Sequence, residues 1–184
     1  MTFKSLQDES HLFFITASIC GWKPILLDGK YSKIILEALS TYRKNSNILL
    51  FAFVIMPTHL HAIIKPLDST IGSFLRRFGS FTAHKIIDEL KESKEVDLLN
   101  FFHDSKRESK VNYSIWQDIQ AKNIYSQNFL EQKLEYIHNN PLSEKWRLVK
   151  DKADYSLSSA RKYDREETPI IEVNDIRDYL SNIR

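Results

Sequence analysis

The sequence predicts an α+β fold, on three observations. A nearly continuous apolar run over residues 48–56 (ILLFAFVIM) is followed, after Pro57 and Thr58, by a second strand-like run over 59–65. Two stretches with helical apolar spacing, 31–44 and 70–92, flank that pair. Segments rich in aromatic and β-branched residues lie before and after the whole unit, at 11–19 and 113–119.

Each element has its own justification. Residues 11–19 (HLFFITASI) read as a first strand, and 22–29, with Pro24 and Gly29, as a loop. Ile34, Ile35, Ala38, Leu39 and Tyr42 form one helical stripe. The run 48–56 is apolar on both faces, as a central strand is. Pro57 cannot donate to a ladder, so the chain turns there and 59–65 returns antiparallel. Ser69 is the expected N-cap of a helix over 70–92, which Gly79 weakens. The charged stretch 93–112 reads as a loop and 113–119 as a further strand. Ser126 or Asn128 caps a helix running to Asn139 or Asn140. Pro141 ends it, because the residue before proline is pushed out of the helical region. Residues 176–180 form a short closing helix. The order strand, helix, strand, strand, helix, strand, helix is that of a ferredoxin-like split β-α-β sandwich. Its antiparallel sheet carries helices on one face, with an added C-terminal helix bearing Tyr136.

The chain has 184 residues, 42% hydrophobic and 27% charged, enough for one core. We expect one domain over 1–165 and an acidic tail over 166–184. No apolar run approaches the roughly 18 to 20 residues of a membrane span. The polar start, 1–10, lacks a segment of signal-peptide type. The single cysteine, Cys20, excludes a disulfide framework and a cysteine-rich zinc site. Together these predict a cytoplasmic protein with no membrane partner. The net charge of +2 is unevenly spread. Residues 143–165 hold seven positive side chains against four negative, and 166–184 hold five acidic against two basic. This suits a nucleic-acid binder, although clustering of this size also occurs on ordinary solvated surfaces.

Two constellations carry chemistry. His59 and His61 are two apart on a strand, so both imidazoles project from one face. Two neutral imidazoles there can hold a divalent cation, or be hydrogen-bonded at a sheet surface. Tyr136 and Asn140 are four apart on a helix and share a face. Alone, they read as a packed ring and a C-terminal cap. Together with the histidines they suggest more. A metal bound by two histidines and an amide oxygen polarises a phosphoryl oxygen, and a nearby tyrosine can attack the phosphorus. A covalent phosphotyrosine keeps the energy of the broken phosphodiester, so no ATP is needed, consistent with the lack of a phosphate-binding glycine loop.

The segment Phe53-Val54-Ile55-Met56-Pro57-Thr58-His59-Leu60-His61-Ala62-Ile63-Ile64 resembles the "VxMPNHxHLL" segment of single-tyrosine HUH transposases. Tyr136-Ile137-His138-Asn139-Asn140-Pro141-Leu142 resembles the "YIHxNPV" segment of their REP-associated branch. Ile115-Trp116-Gln117 and Tyr155-Ser156-Leu157-Ser158-Ser159-Ala160 agree with that branch too, and the resemblance spans roughly residues 11–163. It implies a ferredoxin-like fold and nicking and rejoining of single-stranded, hairpin-associated DNA, assisted by Mg²⁺ or Mn²⁺. It carries over His59, His61 and Asn140 as metal ligands and Tyr136 as the nucleophile, giving a 5′-phosphotyrosine and a free 3′ hydroxyl. Thr58 departs from the usual Asn or Asp, which bears on a turn or on a contact behind the first histidine. Ala62 departs from the usual Leu. Relatives include monomers and dimers that exchange tyrosine helices, so a homodimer and a monomer both stay open.

Arg76, Arg77 and Lys85, on the helix after the histidine strand, are candidate phosphate contacts, as are Lys145, Arg147, Arg161 and Lys162. Trp116 and Trp146 can stack on bases or pack in a core. His84, His103 and His138 read as structural or exposed. Two other functions compete with the transposase reading: a domesticated, inactive hairpin-DNA binder, and a ferredoxin-like domain with a structural or metal-hydrolase role unrelated to DNA.

Overall fold

A computed structural model describes residues 12–105 and 112–182. The expectations for 1–11, for 106–111 of the predicted loop and for 183–184 lie outside that range. The elements are β1 (Phe13–Ile19), α1 (Gly29–Lys44), β2 (Ile48–Met56), β3 (His59–Pro66), α2 (Ile71–Glu92), α3 (Val96–Asp104), β4 (Trp116–Asn123), α4 (Gln127–Asn139), α5 (Ala160–Asp164) and α6 (Ile176–Asn182). The four strands form one sheet in the order β2-β3-β1-β4, and every neighbouring pair is antiparallel. This is the expected ferredoxin-like α+β sandwich. No described helix is long and apolar enough to cross a membrane.

Strand alternation divides the side chains between two cores. Ile15, Ala17, Leu60, Ala62 and Ile64 face one side, where Ile35 and Leu39 of α1, Phe74 and Phe78 of α2 and Phe102 of α3 cover them. Phe14, Val54, Met56 and Ile63 face the other, against Leu130 and Ile137 of α4 and Ile176 of α6. β2 is therefore buried on both faces, which is why its sequence is apolar without alternation. A bulge between Leu50 and Ala52 sets Phe51 and Ala52 on the same side.

The outer edge of β2 would present bare backbone groups. Residues 155–174 cover it. Ile55 N–H donates to the Leu157 carbonyl at 2.9 Å, and Phe53 N–H to Ser159 Oγ at 3.0 Å. The Tyr155 and Tyr163 hydroxyls donate to the carbonyls of Ile55 and Phe51, both at 2.8 Å. Asn174 N–H donates to the Leu50 carbonyl at 2.7 Å. The segment expected as an acidic tail thus lies along the sheet, and Tyr179 of α6 packs on Phe51. Of its acids, Glu172 pairs with Arg43 of α1 and Asp175 with the nearby Arg177.

Several expectations are corrected. Thr70, not Ser69, caps α2 by accepting from Ser73 N–H, while Ser69 accepts from Arg77. Gly79 does not break α2: a Cβ there would lie 2.6 Å from Ile119 Cδ1, so glycine admits β4 against the helix. The predicted loop contains α3, whose start is fixed by Glu95 accepting from Lys30 and Tyr31 of α1. The last strand begins at Trp116 rather than Tyr113 and runs on to Asn123. Ser126 caps α4 as expected. Asn140 keeps helical angles (φ −54, ψ −42) although proline follows, because the chain tightens into a 3₁₀ turn, Asn140–Leu142.

Candidate functional site

The histidine strand β3 is central, between β1 and β2. His59 stands opposite Ser18 and Met56, and His61 opposite Thr16 and Val54. Both imidazoles leave the sheet on the α4 side and are buried. Their ring centroids are 4.8 Å apart. Each Nδ1 meets a threonine hydroxyl: His59 meets Thr58 Oγ1 at 3.0 Å, and His61 meets Thr16 Oγ1 at 3.0 Å. In the tautomer whose Nδ1–H donates to the hydroxyl, the ring is fixed and Nε2 keeps its lone pair. Thr58, the departure from the family pattern, thus provides the contact behind the first histidine.

Burial pushes the His59 pKa down to about 4, helped by the Lys145 ammonium and opposed by a hydrogen bond to Asn140. Burial pushes His61 to about 3, helped by His59 and Lys133 and opposed by the Ile15 backbone. Both rings are neutral at pH 7, the form that ligates a metal.

Helix α4 delivers the other two groups. Leu130, Ile137 and His138 are buried and set the helix rotation. Tyr136 and Asn140 then fall on the side facing β3. Tyr136 is 47% exposed, and its Oη lies 3.4 Å from His61 Nε2. Its ring packs edge-on against Phe14, which stacks on His61. Asn140 is buried and hydrogen-bonds His59. All four sequence-predicted groups therefore meet within one chain, on the floor of an open cleft of about 1160 Å³. Among the described residues, no three His, Cys, Asp or Glu side chains are grouped to hold a metal ion. A ligand set here needs the Asn140 amide beside the histidine pair, and that donor set suits a divalent cation.

The cations are placed differently from one another. Lys145 lines the cleft, together with Lys122 and Lys133, which the sequence reading missed. Arg147 is exposed and does not line the cleft. Arg76, Arg77 and Lys85 are exposed on α2, which covers the opposite face of the sheet, and Arg77 pairs with Asp68 at 3.3 Å. Arg161 donates to the Ala153 carbonyl, and Lys162 pairs with Asp175. Trp116 packs on Phe78 and donates to Thr82 Oγ1 at 3.0 Å, so it belongs to the core. Trp146 stands at the cleft, 6.2 Å from His59 between centroids. His138 meets Ser159 Oγ at 3.0 Å and is structural.

Two of the missed residues had different signals. Lys133 lies three residues before Tyr136 and shares its helix face, a spacing readable in advance. Its ammonium lies over the rings of Phe14, Phe129 and Tyr136 at 5.0, 5.1 and 5.4 Å. Thr16 is found only through the strand register, which no local pattern reveals.

Fold and cluster together define a ferredoxin-like sandwich with a histidine pair and a tyrosine at one cleft. Comparison with solved structures finds similar chains. One is a REP-associated tyrosine transposase bound to a REP hairpin, at 19% identity and a TM-score of 0.61, covering 96% of this chain and 93% of that one. Another, from Deinococcus radiodurans R1 and described as a candidate transposase, covers 76% of this chain and 97% of its own, at 15% identity and a TM-score of 0.45. No family model matches the sequence, and no curated protein matches it. The first likeness establishes that this chain has the fold of a REP-associated tyrosine transposase.

Proposed function

We propose that this protein is a transposase-type DNA-nicking and strand-joining enzyme acting on single-stranded, hairpin-associated DNA. The observation that carries the reading is the Tyr136 hydroxyl at 3.4 Å from His61 Nε2, in an open cleft shared with His59 and Asn140. The hairpin held by the fold neighbour supports the choice of substrate.

In this reading Tyr136 Oη attacks a backbone phosphorus. The new Oη–P bond forms as the P–O3′ bond breaks; Oη gives up its proton to solvent and the departing 3′ oxygen takes one up from it, leaving a 5′-phosphotyrosine and a free 3′ hydroxyl. Attack by a 3′ hydroxyl on the same phosphorus reverses the linkage and joins strands. His59, His61 and Asn140 would hold Mg²⁺ or Mn²⁺, which supplies charge stabilisation at the phosphoryl oxygens. Phe14 holds the tyrosine ring by its edge. Lys122, Lys133 and Lys145 put positive charge along the strand's path. Arg76, Arg77 and Lys85 would touch phosphates only of DNA reaching the far face.

The test is a denaturing gel with labelled hairpin-bearing single strands, Mg²⁺ or Mn²⁺, and Tyr136→Phe as control. A covalent adduct that vanishes in Tyr136→Phe is expected. Full cleavage by that variant would remove Tyr136 as the nucleophile. Hairpin binding without an adduct at any divalent metal would assign an inactive binder instead.

A further inference from the structure

The rim of the cleft holds two indoles that the nucleophile and the metal ligands do not use. Trp22 is 50% exposed, and its backbone sits at φ 54, a region that side chains with a Cβ rarely occupy. Neighbouring contacts impose that conformation. Gly21 also has a positive φ of 61, and a Cβ there would lie 2.5 Å from Phe101 Cζ. Gly21 N–H donates to Gln117 Oε1 at 3.1 Å, and Cys20 N–H to the Ile115 carbonyl at 2.8 Å. The turn is thus wedged between α3 and the start of β4, with a large apolar ring facing water.

Trp146 reaches the same place from the chain after α4. Its N–H donates to the Ser143 carbonyl at 2.9 Å. The Trp22 and Trp146 ring centroids lie 6.1 and 6.2 Å from His59. The Lys145 ammonium lies over both indoles, at 5.8 and 5.0 Å. One cation over two rings means that both turn a face toward one shared space. Ring faces beside a solvent-exposed ammonium are what an unpaired nucleotide requires: the base stacks, and the phosphate takes the cation.

We propose that Trp22 and Trp146 form a stacking slot for one unpaired nucleobase, with Lys145 contacting that nucleotide's phosphate. The slot lies on the His59 side of the histidine pair, and Tyr136 lies on the His61 side. It therefore takes a base flanking the scissile phosphate. Every base has a π face, so the slot tolerates sequence, but a base locked in a duplex cannot enter. It selects single-stranded over paired DNA at that position. This rests on the DNA-processing reading above.

Binding is measured in a Tyr136→Phe background without divalent metal, so no cleavage intervenes. The probes are a hairpin oligonucleotide with single-stranded flanks, a set carrying one abasic site at each flank position, and a blunt duplex. Trp22→Ala is expected to weaken binding of the flanked hairpin about tenfold, with Trp22→Phe recovering most of it. One abasic position should cause a similar loss and make the complex insensitive to Trp22→Ala. Duplex binding should not change. Lys145→Ala should reduce the slope of log affinity against log salt by about one. Trp146 is half-buried, so it is tested as Trp146→Phe with circular dichroism to confirm the fold. Flanked-hairpin binding unchanged in Trp22→Ala, or equal sensitivity to Trp22→Ala at every abasic position, would overturn the slot and leave the nuclease reading standing. Failure of the unsubstituted protein to bind hairpin or single strand would overturn both. A Trp22 effect on binding, together with no adduct from the protein that retains Tyr136 in the denaturing-gel assay with metal, would keep the slot and remove the nuclease reading.

Discussion

Thr16→Val and Thr58→Val test whether the cleft is built to hold a metal. Each removes one hydroxyl and nearly preserves side-chain shape. Each hydroxyl lies 3.0 Å from a buried imidazole Nδ1. A neutral hydrogen bond of this kind contributes about 0.5 to 1.5 kcal/mol. At about 1.4 kcal/mol per tenfold, its loss reduces the form with a free Nε2 lone pair by about 2- to 12-fold. Mn²⁺ affinity measured by calorimetry should fall by that factor in each variant. The double variant should not show the simple product, because the two rings are only 4.8 Å apart and respond to each other. Imidazole ¹⁵N shifts of the metal-free protein provide a second readout: protonation should move from Nδ1 toward Nε2. Thr58→Ser keeps the hydroxyl and should restore both. Unchanged Mn²⁺ affinity and an unchanged tautomer in both valine variants would refute the argument that these threonines orient the histidines.

Three further outcomes follow from packing and charge. His138 is buried, and its pKa is lowered to about 4 by burial first and by Lys152 second, with Asp164 opposing. The unfolded chain takes up the proton near pH 6.5, so stability is complete above that pH and falls as the pH drops toward 4, by on the order of 3 kcal/mol from this group. His138→Gln should flatten that part of the urea-stability profile; an unchanged slope would contradict it. Ser159→Ala removes the acceptor of the buried Phe53 N–H and the partner of His138, and should lower unfolding free energy by about 2 to 4 kcal/mol. A loss below about 0.5 kcal/mol would mean that the β2 edge is satisfied otherwise. Gly79→Ala should be nearly neutral, because helix propensity gains about 1 kcal/mol while only the tip of Ile119 must turn aside. Gly79→Leu should cost about 1 to 3 kcal/mol, and equal thermal stability of the two variants would show that β4 does not press on α2.

The parts of the site that were legible in sequence are those whose geometry is local. A period of two places His59 and His61 together, and a helical turn places Tyr136 beside Asn140. The apolar run of β2 announced burial on both faces. α3 went unread although Leu98, Leu99, Phe101 and Phe102 lie in it, because nine residues give too short a window for helical periodicity. Gln120 and Lys122 near the end of β4 are polar because that face lines the cleft, so the segment lacked the apolar signature of a strand. Trp22 had no local signal at all. Its position depends on Phe101 and Gln117, which are distant in sequence.

The two faces of the sheet explain how such a site is tolerated. One face is closed by α1, α2 and α3 and carries the larger apolar core. That leaves the other free to be apolar only in part, beneath α4 and α6. Two imidazoles buried there oppose protonation and make the fold acid-sensitive, an expense that a purely structural sheet would avoid with two valines. The threonines satisfy Nδ1 on each ring, but the inner core takes no part in satisfying Nε2, which faces the cleft. α4 is pinned by Ile137 and His138, the residues directly after Tyr136, so burial of its neighbours aims the hydroxyl at the histidines while Phe14 holds the ring by its edge. A site fixed by its surroundings while its reactive atoms stay open is organised before any substrate arrives, which is what catalysis by positioning requires.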